Sequence, residues 1–135
     1  MPSELELVFV NEQKTQVDIH AIEEQLTRTL SRLRKEATDQ NPLQQSVGVG
    51  RLITEIVFVG DKKIKALNAQ FRGVDTPTDV LSFTRNGEDP NYPASIVISI
   101  ETATRQSVVA GWSLSQEIVS LANHGFLHVL GFSHA

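Results

Sequence analysis

Two incompatible periodicities alternate along this chain, and their alternation limits the folds open to it more than any other feature. The runs LELVFV (Leu5 to Val10) and LITEIVFV (Leu52 to Val59) are short, apolar and rich in branched and aromatic residues, as strands are. Between them Ile19, Ile22, Leu26, Leu30 and Leu33 recur at spacings of three and four, which puts them on one stripe of a helix running to about Lys35. The polar stretch from Ala37 to Gly50 reads as a long loop. Past Gly60, Asp61 reads as the N-cap of a helix over KKIKALNAQFR, with Ile64, Leu67 and Phe71 sharing a face.

The same reading continues to the end. GVDTP (Gly73 to Pro77) is turn chemistry, DVLSF (Asp79 to Phe83) a third strand, and Arg85 to Pro93 a loop. SIVISI (Ser95 to Ile100) is a fourth strand and Glu101 to Gly111 a helix. A last helix opens at Ser113 or Ser115, where Ser115 with Glu117 resembles a cap, and its residues Ile118, Leu121, Ala122, Gly125, Leu127 and Leu130 are mostly buried. The order β-α-β-α-β-β-α-α predicts an α+β fold, helices packed on a small mixed sheet of about four strands, within one domain spanning residues 1–135.

Composition removes whole classes of function. No run approaches the roughly 20 apolar residues of a membrane span, and the acidic start MPSELELVFV lacks the basic region of a secretory signal, so a cytoplasmic location is expected. With no cysteine there is no disulfide framework, thiolate metal site or cysteine nucleophile, and any metal chemistry must use His, Asp or Glu. A net charge of −4 argues against nucleic-acid binding by a field spread over the whole surface. Local basic patches stay open.

Three of the four histidines fall in the string HGFLHVLGFSH. His124 and His128 are four apart, so on a helix they project from one face, one turn from each other. Gly131 follows where a helix can stop and the chain reverse through a left-handed conformation, which could return His134 toward the pair. Three imidazoles on one divalent ion leave a coordination position open, as catalytic zinc sites do. The other histidine, His20, is read as structural.

The spacing is that of metzincin zinc proteases, but those carry Glu after the first His as general base, and here the residue is Gly125. Gly125 is read as leaving room near the ion for a bulky substrate group. A site without that base suits a reaction needing charge stabilisation more than proton abstraction, as at a phosphodiester. From Asp61 to Arg85 there are five Lys or Arg (Lys62, Lys63, Lys65, Arg72, Arg85) against three Asp, a local charge of +2. Arg72, where helix gives way to turn, is the candidate catalytic and phosphate-binding cation, with Lys65 and Arg85 as further substrate contacts. Glu117, one heptad before His124, is the candidate general base. Asp79 and Ser82 are read as structural.

Together, HGFLHVLGFSH and FRGVDTPTDVLSF resemble the YbeY family of bacterial metal-dependent endoribonucleases, from about Leu52 onward and more loosely before it. The resemblance implies a mixed sheet, a zinc-type ion on His124, His128 and His134, and a functional arginine at Arg72. It also implies single-stranded RNA as substrate, with maturation of the 16S rRNA 3′ end and ribosome quality control as the setting, and ribosomal proteins as partners. The chain departs from the family pattern in three places. Ser133 stands where the family usually has Asp before the third His, and Ala94-Ser95 replaces a Gly-Asp pair entering the fourth strand. The chain also stops at Ala135, from which weaker metal affinity than a longer relative's is expected, since ordering a terminal tail costs about 1–2 kcal/mol per residue. A zincin-like metalloprotease and a noncatalytic module docking on ribosomal RNA or protein are the competing readings.

Overall fold

A computed structural model describes residues 5–36, 52–84 and 94–132. The loops expected from Ala37 to Gly50 and from Arg85 to Pro93 lie outside them. Strands β1 (Leu5–Asn11), β2 (Leu52–Val59), β3 (Val80–Phe83) and β4 (Ala94–Ser99) form one sheet in the order β1-β2-β4-β3. β1, β2 and β4 run parallel, and β3 is antiparallel to β4 at the edge. Among the described residues four helices, α1 (Ile19–Lys35), α2 (Asp61–Arg72), α3 (Ile100–Ala110) and α4 (Leu114–Val129), pack with this sheet in an α+β architecture.

Strand alternation divides the core between the two faces. Ile56 pairs with Ile96 and Phe58 with Ile98, and these side chains pack under α1, α3 and α4 with Ile22, Leu26, Ile118 and Phe126. The intervening Val57, Val59, Val97 and Leu81 face the other way and meet Ile64 and Leu67 of α2. Both faces of β2 and β4 are therefore covered, which explains why their sequences read as near-continuous apolar runs.

Three local expectations are corrected. Asp61 is the first residue of α2, not its cap: Gly60 holds the cap position with no side-chain bond, and Glu101 of α3 accepts the Asp61 N–H at 2.7 Å. The last helix opens at Ser113, not Ser115. The Ser113 hydroxyl accepts from the Gln116 N–H while the Gln116 side chain accepts from the Ser113 N–H, a reciprocal capping box. Phe71, placed by periodicity on the stripe of Ile64 and Leu67, is 58% exposed.

Candidate active site

The rotation of α4 about its axis sets the site. On one side Thr29 of α1 donates its hydroxyl to Asn123 Oδ1 at 2.6 Å. On the other, Gly125 lies against the sheet: a Cβ there would stand 2.8 Å from Ile96 Cγ2 and 3.0 Å from Ser82 Oγ. Pinned on both flanks, the helix turns His124 and His128 outward, both exposed, one turn apart along its axis. Gly125 therefore leaves no room for a substrate group, contrary to expectation. Its missing side chain lets helix and sheet meet, and a Glu at this position would collide with β4.

Past the second histidine α4 ends as its sequence suggests. The Gly131 N–H donates to His128 O and the Phe132 N–H to Leu127 O, both at 3.0 Å, with Gly131 at φ 96. This is a Schellman closure, which needs a left-handed residue and finds glycine there. His134 and Ser133 lie outside the described residues, as does Arg85.

His124 and His128 share a cleft of about 190 Å³ with Arg72, Thr78, Asp79, Val80 and Ser82. Arg72 is the last residue of α2, and the chain leaves the helix at Gly73 in a left-handed conformation. The turn beyond it is tied back by Asn68, whose buried amide donates to Thr76 O at 2.9 Å. The link fixes Arg72 beside the start of β3. Asp79 is held in the cleft wall by its contacts: its carboxylate accepts from the Val80 N–H at 2.7 Å, from the Thr78 hydroxyl at 3.4 Å and from the Gln106 amide at 3.3 Å. Among the described residues it is the carboxylate that lines the cleft.

Other expected site residues lie elsewhere. Glu117 is buried near the start of α4, where its Oε1 accepts the Trp112 indole N–H at 2.7 Å. It is seven residues before His124, about 10 Å along the helix, and does not line the cleft. Lys65 is exposed on α2 at a similar distance before Arg72, also outside the cleft. His20 lies on the surface of α1, its Nδ1 3.5 Å from Glu23. Sequence reading missed the cleft positions of Thr78, Asp79 and Ser82, whose one visible signal was their closeness to Arg72 in FRGVDTPTDVLSF.

Two imidazoles at i and i+4 facing an open cleft are a donor pair suited to a zinc-type ion. Among the described residues no third His, Asp or Glu joins them in a metal-holding group. The family model for endoribonuclease YbeY matches residues 8–135, and so contains the whole cleft. The chain belongs to the endoribonuclease YbeY family. It is 38% identical over 126 residues to endoribonuclease YbeY of Moorella thermoacetica, covering 85% of this chain and 78% of that one. Against endoribonuclease YbeY of Pelotomaculum thermopropionicum it is 40% identical over 121 residues, covering 84% and 76%. Its fold resembles the solution structure of TM1509 from Thermotoga maritima, with a TM-score of 0.52 at 23% identity over 96% of this chain and 75% of that one. The Ser95 hydroxyl donates to Glu55 Oε1 at 3.2 Å across the β2–β4 pair. No described helix is long and apolar enough to cross a membrane.

Proposed function

We propose that the chain is a metal-dependent endoribonuclease that cuts single-stranded RNA in the cleft between α4 and the β3 edge, acting in the cytoplasm on ribosomal RNA at the 16S 3′ end, with ribosomal proteins as partners. The observation that carries the reading is the meeting of Arg72 with His124 and His128 in one cleft, from elements more than fifty positions apart, in a member of the YbeY family. His124, His128 and His134 are the proposed ligands, and zinc the proposed ion. When bound, it would supply Lewis acidity and lower the pKa of a coordinated water toward about 7. The guanidinium of Arg72 binds the scissile phosphate and stabilises charge growing on its oxygens. Asp79, held by Val80, Thr78 and Gln106, replaces Glu117 as the carboxylate placed to orient water or accept a proton. The close packing at Gly125 speaks against the zincin protease reading, because the carboxylate that mechanism requires has no space there.

The test combines elemental analysis of the purified chain with cleavage of a single-stranded RNA carrying the 16S 3′ end. The reading expects bound zinc, RNA cleavage that stops on chelation and returns with zinc, and no turnover of casein. RNA bound without cleavage by the zinc-loaded chain would instead support a docking module, and casein turnover a protease.

A further inference from the structure

α2 ends in an apolar cluster that the helix does not bury. Phe71 is 58% exposed and Val74 47%, although Ile64 on the same stripe is wholly enclosed. The Phe71 ring is nevertheless held in place: it meets Phe83 edge-on, with centroids 5.2 Å apart and planes at 70°. Phe83 and Ser82 are neighbours on β3, so their side chains leave opposite faces of the strand. Ser82 lines the cleft, while Phe83 supports Phe71 on the α2 side. Arg72, the residue after Phe71, lines the cleft as well. The edge strand thus carries the histidine–arginine cleft on one side and an open, oriented aromatic ring on the other, and the ring's residue is followed directly by Arg72 of the cleft.

One exposed phenylalanine needs no explanation on most surfaces. Here exposure departs from the helical stripe, a second ring fixes the orientation, and the next residue enters the site. The surroundings also select the kind of occupant. α2 carries Lys62, Lys63, Lys65 and Arg72 against Asp61 alone, and Asp61 is already engaged by Arg105 at 2.7 Å. An exposed aromatic face next to Arg72, on a helix whose own charge is net positive, suits a polyanion with flat apolar groups, which describes an unpaired RNA strand. Bases of a duplex are stacked on one another and offer no free face.

We propose that Phe71, braced by Phe83, is a stacking platform for one unpaired nucleobase beside the phosphate that Arg72 binds, and that it makes the site select single-stranded over paired RNA. The proposal rests on the RNA-cleaving reading above.

Fluorescence anisotropy with a short fluorescein-labelled single strand, 2′-O-methylated to resist cutting, tests it on the full chain. Phe71→Leu keeps apolar bulk against Phe83 and removes the aromatic face; it should weaken binding roughly 5- to 150-fold, while Phe71→Trp stays near wild type. An abasic residue at one position of the strand should weaken wild type by a similar factor and leave Phe71→Leu no weaker than before. Binding by Phe71→Leu equal to wild type overturns the platform. If wild type cuts unmodified RNA in that case, the cleavage reading survives alone. Should wild type cut nothing yet show the Phe71 and abasic dependence, the platform stands and the cleavage reading falls; no binding by wild type overturns the platform, and the cleavage reading falls with it where wild type also cuts no unmodified RNA.

Discussion

At Gly125, adding one carbon means moving both Ile96 and Ser82. Replacing Gly by Ala inside a helix normally gains about 1 kcal/mol, but overpacking a core costs about 1–3 kcal/mol. Here the β-branched Ile96 and the β3 hydroxyl must both give way. Gly125→Ala should therefore lose up to about 2 kcal/mol of stability in urea denaturation, and a stabilised variant would contradict the packing described. Glu117 gives the opposite pattern to that of a catalytic base. Glu117→Ala should cost about 1 kcal/mol by leaving the Trp112 indole without its acceptor, with the rate of RNA cleavage unchanged. A collapse in cleavage rate with unchanged stability would return Glu117 to the chemistry. The histidine pair was readable from sequence because i, i+4 spacing is a local property of one helix. Asp79 and Ser82 were not, since their place in the cleft depends on β3 meeting α4, a contact between segments about forty positions apart in which the Ser82 hydroxyl donates to Gly125 O. Gly125 misled for a related reason: sequence shows that a side chain is missing without showing which neighbour fills the space.

Between elements, the N-termini of α2 and α3 are tied together through Asp61 and Glu101. Glu101 accepts the Asp61 N–H, and the Asp61 carboxylate accepts from Ser99 Oγ at 2.7 Å, Thr102 Oγ1 at 2.6 Å and Arg105 at 2.7 Å. Burial raises the Asp61 pKa, but the hydrogen bonds from Thr102, Ser99 and Arg105, with the Arg105 charge, outweigh it and hold the group below its ordinary value of 3.8. A carboxyl with a lowered folded pKa contributes stability that is complete above its unfolded value and is lost as pH falls through the folded one. Asp61→Asn should thus be less stable than wild type at neutral pH by about 2 kcal/mol, and the gap should narrow below about pH 4. Thermal melts of both proteins across that range would show it, and a gap independent of pH would contradict the ionised network. The same node orients α2, whose far end delivers Arg72 to the cleft. Among the described residues periodicity found the four helices and the four strands to within a residue or two, because each buries a patterned face. It mistook the Asp61 cap because the true capping group, Glu101, comes from another helix.

Across the whole molecule the charge is unevenly spread, net negative overall with a positive segment around α2. Affinity for single-stranded RNA should fall with rising salt, and Arg72→Ala should reduce the slope of log affinity against log salt by about 0.7, the value of one phosphate contact. An unchanged slope would mean that Arg72 does not touch the backbone. The sheet order β1-β2-β4-β3 puts the antiparallel strand at an edge, where α4 and the end of α2 both reach it. Sequence predicted a mixed sheet but not its order, because pairing is decided by contacts remote along the chain. That order brings a guanidinium and two imidazoles into one cleft, and their joint action on RNA is the central claim. Cleavage of the 16S 3′-end RNA by Arg72→Ala, His124→Ala and His128→Ala, each with its melting temperature measured alongside, tests it most directly. All three side chains are exposed, so the three variants should melt close to wild type and cut no RNA. Cleavage at the wild-type rate by any one of them, still folded, would contradict the account.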